Sequence, residues 1–141
     1  MSRVLVDASA LIALIDRSDA AHERCVDALR RIREPLITVW PAITETMHLL
    51  ADTRGGPDAL CDMVSDGALT LAELDVPDVE RIKQLMQKYR DVPMDFADAA
   101  LVRAAERERL TRIVTFDRHF EIYRLPNRAR FTVLPTPGRR A

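Results

Sequence analysis

Aromatic side chains are scarce in this chain. Its 141 residues include one Trp, two Tyr and four Phe, too few to bind single-stranded nucleic acid mainly on rows of stacked rings. Cysteine is scarcer. Cys25 and Cys61 lie far apart and form neither a CxxC nor a Cys/His spacing suited to zinc. Cys25 shares a helical face with Ala21, Ala28, Leu29 and Ile32 and is expected to be a small core residue, not half of a disulfide. The three histidines, at 22, 48 and 119, are scattered. Long apolar runs are absent too. Charge interrupts each within about ten residues, which excludes a membrane-spanning helix. Asp7 comes too early for the apolar stretch of a signal peptide, so the expected compartment is the cytoplasm.

What is present suits one globular domain with a full core: 48% hydrophobic and 30% charged residues. The net charge of −1 hides an asymmetry. Residues 1–102 carry 11 Lys and Arg against 18 acids, whereas residues 103–141 carry 10 Arg against 4 acids. A basic final third on an acidic chain is a candidate surface for a polyanion, and equally a solvated face rich in arginine.

Strand and helix patterns alternate along the chain. Val4-Leu5-Val6 reads as a buried strand running directly into a helix over Ala8–Asp16. Asp19–Arg33 reads as a second helix, stopped by Pro35, and Leu36–Val39 as a second buried strand. Pro41 suits the first turn of a helix whose apolar stripe is Ile43, Met47 and Leu50. After the break at Arg54-Gly55-Gly56-Pro57 come a helix over 58–64, a strand over 70–74, an amphipathic helix over 78–89 and an Ala-rich helix over 96–107. Arg112–Phe116 and Phe131–Leu134 complete the strands. This alternation predicts a parallel sheet covered by helices on both faces, with ligands bound at the carboxyl ends of its strands.

Four acids fall at that edge. Asp7 ends the first strand and Asp117 follows the strand 113–116. Glu45 lies early in the helix after the second strand, and Asp98 lies one turn after Asp95 in the Ala-rich helix. Taken singly, an Asp at a strand end is usually a helix cap, and Glu45 a solvated helix residue. Four acids converging on one edge would repel each other unless a proton or a cation intervened. Oxygen-only donors favour Mg²⁺ or Mn²⁺.

The stretches Val4-Leu5-Val6-Asp7-Ala8-Ser9-Ala10-Leu11-Ile12-Ala13-Leu14, Ile43-Thr44-Glu45-Thr46, Pro93-Met94-Asp95-Phe96-Ala97-Asp98-Ala99-Ala100-Leu101-Val102 and Ile113-Val114-Thr115-Phe116-Asp117-Arg118-His119-Phe120 resemble, in order, those of the PIN-domain family of metal-dependent nucleases, and most of all its VapC-type toxins. The resemblance implies an α/β fold, a three-layer α/β/α sandwich with a central, mainly parallel sheet. The PIN-like nuclease domain would span residues 1–134, with a flexible basic tail at 135–141. An acidic pocket of Asp7, Glu45, Asp98 and Asp117, with Asp95 as a fifth member, would hold Mg²⁺ or Mn²⁺. Ser9 and Thr115 match small polar positions beside the pocket, and fit equally well as a helix-start and a strand-end hydrogen bond. Arg112, Arg118 and Arg124 are candidate phosphate contacts. Trp40 and His119 lie near substrate-facing positions, although core packing is the commoner fate of a Trp.

The function implied is an endoribonuclease acting as the toxin of a toxin–antitoxin pair. Relatives are homodimers silenced by a small antitoxin, and Met47, Leu49, Leu50, Cys61 and Met63 offer apolar contact. A PIN-like scaffold that binds RNA or protein without cutting is the alternative. A haloacid-dehalogenase-type phosphatase needs a second acid where Ser9 stands. A response-regulator receiver needs a lysine after a late strand, whereas Lys83 and Lys88 both fall on a helix.

Overall fold

The structure is a computed structural model that describes residues 2–137. Five three-residue strands form one sheet: β1 Val4–Val6, β2 Leu36–Thr38, β3 Leu69–Leu71, β4 Arg112–Val114 and β5 Thr132–Leu134. Their order is β3-β2-β1-β4-β5 and every pairing is parallel. The helices are α1 Ala8–Ile15, α2 His22–Arg30, α3 Trp40–Leu49, α4 Gly56–Ser65, α5 Val76–Lys88 and α6 Phe96–Glu108, with short 3-10 turns at Arg118–Glu121 and Pro126–Arg128. No helix among the described residues is long and apolar enough to cross a membrane.

Alternation along each strand sends side chains to two cores. Val4 and Val6 face one side with Leu11, Cys25, Leu60 and Val114. Leu5 faces the other with Ile37, Leu85, Leu101, Ile113 and Phe120. All three β1 residues are buried, as expected of a strand covered on both faces. The expected three-layer α/β/α sandwich is the observed one. Cys25 is a free, buried thiol whose S–H donates to the Ala10 carbonyl at 3.3 Å. Burial pushes its pKa up to about 11, and the charges of Asp7 and Asp19 add to the rise.

Several elements are shorter than expected, for local reasons. The second helix begins at His22, not Asp19, because the Asp19 carboxylate accepts the Ala21 N–H at 2.8 Å and closes a turn there. The fourth strand ends at Val114 because the Phe116 N–H is taken by the Ser9 hydroxyl at 2.9 Å rather than by a neighbouring strand. The Arg54–Pro57 break is sharper than a simple loop: Gly55 sits at φ +71°, a left-handed conformation that glycine adopts without strain, and α4 starts on the next residue.

Trp40 corrects the expectation of core packing; it is 60% exposed. Buried Ala42, Ile43 and Thr46 set the inner face of α3, which leaves Trp40, Thr44 and His48, spaced by four, on the outer face. The proposed apolar contact surface also divides. Leu50 is buried and Met47 and Met63 pack on the core, while Leu49 and Cys61 are exposed. Of the tail expected at 135–141, residues 138–141 lie outside the described residues. Pro135, Thr136 and Pro137 line a cleft beside Phe116.

The basic final third is partly consumed by structure. Arg103 and Arg107 bind the buried Asp78, each at 2.8 Å, and so clamp α6 to α5.

Candidate active site

The strand order reverses between β1 and β4. The chain builds outward from β1 through β2 to β3, then returns to add β4 and β5 on the other side. That reversal opens a crevice at the carboxyl ends of β1 and β4. Asp7 leaves β1 there and Asp117 lies just past β4. Helix α3 brings Glu45, and the start of α6 brings Asp95 and Asp98. All five acids, with Ser9 and Ala42, line one cavity of about 90 Å³, room for about three waters at liquid density. No Lys or Arg lines it.

The cap reading and the pocket reading both describe these residues. Asp7 is the N-cap of α1 and accepts the Ala10 N–H at 3.0 Å. Asp95 and Asp98 form a capping box: the Asp95 carboxylate accepts the Asp98 N–H at 2.8 Å, and the Asp98 carboxylate accepts the Asp95 N–H at 3.2 Å. Asp117 accepts the His119 N–H at 2.9 Å. Caps lie at helix starts, and helix starts follow strand ends, so capping itself gathers the carboxylates at this edge. Glu45 caps nothing and has no hydrogen-bond partner among the described residues.

Ser9 and Thr115 join the two central strands. The Thr115 hydroxyl donates to Asp7 Oδ2 at 2.5 Å and accepts the Asp117 N–H at 3.0 Å. The Ser9 hydroxyl donates to Asp7 Oδ1 at 2.7 Å and accepts the Phe116 N–H. Two small hydroxyls thereby fix the Asp7 carboxylate and tie it to the chain leaving β4.

Burial first, and like charge after it, raise the carboxyl pKa values in the cavity. Burial pushes Asp7 up to about 6, and its hydrogen bonds from Thr115, Ser9 and Ala10 only partly oppose this. Asp98 is pushed up to about 7 by burial and by the negative charge of Asp95. Glu45 is raised by burial and then by Asp95, Asp7 and Asp117. Tyr123, which sequence reasoning missed, is fully buried beneath Asp98. Its hydroxyl donates to the Pro93 carbonyl at 2.6 Å and lies 3.4 Å from Asp98 Oδ2. Nothing in the local sequence marks it, because both contacts are brought together by the tertiary fold. As the side chains stand, no three His, Cys, Asp or Glu among the described residues converge tightly enough to form a coordination shell.

Of the three candidate arginines, only Arg118 lies beside the acids, on the wall of a cleft that also includes Asp117. Arg112 begins β4, at the opposite end of the strand from the cavity, and pairs with Glu34 at 3.2 Å. The Arg124 guanidinium turns back onto the carbonyls of Glu121 and Ile122, each at 2.8 Å. His119 lies 3.0 Å from Asp117 through Nδ1.

The PIN domain family model matches residues 4–125. Over 136 residues the chain is 32% identical to ribonuclease VapC26 of Mycobacterium tuberculosis, covering 94% of this chain and all of that protein. The fold is similar to M. tuberculosis VapC20, a sarcin–ricin loop cleaving toxin, with TM-score 0.76, 17% identity and coverage of 82% of this chain and 90% of that one. It is also similar to a chain of a toxin–antitoxin complex from Klebsiella pneumoniae, with TM-score 0.60, 19% identity and coverage of 82% and 87%. A third similar fold occurs in VapBC2 of Rickettsia felis bound to a promoter DNA fragment, with TM-score 0.63, 10% identity and coverage of 93% and 98%. With a family match over residues 4–125 and a 32% identical relative aligned over 94% of its length, this chain belongs to the PIN-domain family, as a relative of the VapC ribonucleases.

Proposed function

We propose that this protein is a Mg²⁺- or Mn²⁺-dependent endoribonuclease and the toxin of a toxin–antitoxin pair, working in the cytoplasm as a homodimer held in check by a small antitoxin. The observation that carries this reading is the cavity itself: five carboxylates and no basic side chain at the reversal point of a parallel sheet. The full-length relationship to a ribonuclease supports RNA as the substrate, and similar folds occur in toxin–antitoxin complexes.

The donor set suits a hard divalent ion. All donors are oxygens, the cavity has room for an ion with a few waters, and three of its acids, Asp7, Glu45 and Asp98, carry raised pKa values that a cation would relieve. Asp7 and Asp98 would hold the principal ion, and Asp117 and Glu45, with Asp95, would complete the shell or hold a second. A bound ion supplies reactive water near neutral pH and offsets charge on the phosphoryl oxygens. Ser9 and Thr115 hold the Asp7 carboxylate in one orientation. Glu45, which lines the cavity and is engaged in no cap, would take a proton from the attacking water. Water would add in line to phosphorus, the bond to the 3′ oxygen would break and that oxygen would take a proton from solvent water, giving a 5′-phosphate and a 3′-hydroxyl. Arg118 faces the strand beside Asp117.

Incubating the protein with total RNA and Mn²⁺, Mg²⁺ or chelator tests this. The expected result is metal-dependent fragments with 5′-phosphates. Asp7→Asn keeps the cap and the fold and lowers cleavage by more than the roughly 10–100-fold that loss of an outer-shell partner costs. Tight RNA binding with no cleavage under either metal would replace this reading with the silent scaffold.

A further inference from the structure

A second, larger opening adjoins the acidic cavity. It measures about 550 Å³ and shares Asp117 and Thr115 with the catalytic edge, a volume within the roughly 300–1,000 Å³ typical of ligand clefts. Helix α2 forms one wall, and Val133 of β5 with Pro135, Thr136 and Pro137 of the chain leaving it forms the other. Its floor is Phe116, whose N–H is held by Ser9. The Arg24 guanidinium lies over the Phe116 ring, 5.4 Å from its centroid. Arg118 reaches the cleft from the turn after Asp117.

We propose that this cleft is a nucleotide subsite for the RNA strand next to the scissile phosphate, with Arg24 and Arg118 binding backbone phosphate. The inference rests on the nuclease reading above. Four observations carry it. The cleft continues the acidic cavity through a shared residue, so a strand held at one passes directly into the other. Among the described residues neither Arg24 nor Arg118 is ion-paired, which distinguishes them from Arg103, Arg107 and Arg112. Stacking on Phe116 pre-orients the Arg24 guanidinium, leaving its N–H donors for the two-pronged contact that phosphate accepts. The floor and far wall, Phe116, Val133, Pro135 and Pro137, are apolar and suit the face of a base or ribose. Asp27 and Glu121 also line the cleft. Asp27 is paired with Arg31 at 3.3 Å and Asp117 with His119, which leaves Glu121 as the one carboxylate of the cleft without an ion-pair partner among the described residues. The Val133–Pro137 wall lies beyond the span matched by the family model, residues 4–125, whereas Arg24, Phe116 and Arg118 lie within it.

The test uses the full chain and a fluorescein-labelled pool of random-sequence single-stranded RNA. Anisotropy titrations in chelator, over a salt series, compare the parent with R24Q, R118Q, the double variant and, as a control outside the cleft, R54Q. Each cleft substitution is expected to weaken binding about tenfold, and the double variant to reduce the salt slope by about 1.4. In Mn²⁺ the loss should fall on KM rather than kcat. If the parent cleaves RNA while the double variant matches R54Q in affinity and slope, the subsite is wrong and the nuclease reading stands. If the parent cleaves nothing under either metal, the nuclease reading fails. The subsite beside a scissile phosphate falls with it, and the binding series then decides only whether the cleft holds RNA: a selective loss in the double variant keeps it as an RNA-binding cleft, and no loss overturns that too.

Discussion

Two groups of carboxylates, all but the exposed Asp95 buried or half-buried, flank α6, and the fold treats them differently. On the α5 side, Asp78 receives Arg103 and Arg107 at 2.8 Å each, and Glu106 receives Arg81 at 2.8 Å. Burial alone would raise Asp78, but the Asp75 N–H and the two guanidiniums more than offset it and hold its pKa below the usual range. At the sheet edge, five acids share a cavity with no guanidinium in its lining, and Asp7 and Asp98 are held near neutrality instead. The same residue type is a clamp where cations surround it and a store of repulsion where they do not. In the chain by itself a proton relieves that repulsion, and a bound cation would relieve it without one, which is the physical core of the metal proposal.

The largest expected effect breaks the clamp. Asp78→Asn leaves Arg103 and Arg107 facing a neutral group and should cost about 2–4 kcal/mol, toward the lower end because both guanidiniums are partly exposed. Asp98→Asn, the same chemical change, should cost nothing or stabilise the metal-free protein at pH 8. Urea unfolding of the two variants in chelator measures the difference. A larger loss from Asp98→Asn than from Asp78→Asn would undo the comparison.

Next comes pH. Asp7 rises from 3.8 to about 6 on folding, so between those values the folded chain keeps a proton that the unfolded chain has released. Stability therefore falls as pH rises through that window, by on the order of 2–3 kcal/mol for Asp7. Asp98 extends the fall to about pH 7. Asp78, held low, acts in the opposite sense, and its contribution is lost as pH drops below the unfolded value of 3.8. Chelated protein should thus melt at a higher temperature at pH 5 than at pH 8. Mn²⁺ should raise the melting temperature at pH 8 far more than at pH 5. A flat profile with no response to Mn²⁺ would mean that the acids carry no unrelieved charge.

A smaller effect sharpens the role of the two hydroxyls. Thr115→Val keeps the shape of a buried side chain but removes the bond to Asp7 and the acceptor for the Asp117 N–H. Cleavage or metal affinity should drop about 10–100-fold with the fold retained. Ser9→Ala provides the parallel measurement, and unchanged Mn²⁺ affinity in both would show the hydroxyls to be purely structural.

The acids were legible in the sequence because each sits at a place that local rules define. Asp7 closes an apolar strand, Asp95 and Asp98 open an Ala-rich helix three residues apart, and Asp117 follows another strand. Strand and helix periodicity suffices to send all of them to one edge. The sheet was legible for the same reason, although β4 proved shorter because Ser9, far away in the chain, intercepts the Phe116 N–H. What local rules do not encode is where a long side chain goes. Arg24 meets Phe116, and Tyr123 meets Pro93 and Asp98, only through the tertiary fold. Trp40 was misjudged because ring size suggested burial, whereas its position relative to Ala42, Ile43 and Thr46 places it outside.

Arg112 gives the smallest effect and separates the arginines cleanly. Its charge made it a phosphate candidate in the sequence, yet it enters β4 at the end away from the cavity and pairs with Glu34 at 3.2 Å, both side chains 31% exposed. An ion pair with that much solvent contact contributes about 0–1 kcal/mol. Arg112→Gln should therefore shift stability by no more than about that amount and leave RNA affinity, salt slope and cleavage as in the parent. The substitutions R24Q and R118Q remove the same single charge from the same net balance but at the catalytic edge. Equal losses from all three would make net charge, not position, the source of RNA binding. A loss confined to the cleft pair would mean that the fold has divided its arginines into those that hold the sheet and helices together and those that face the substrate.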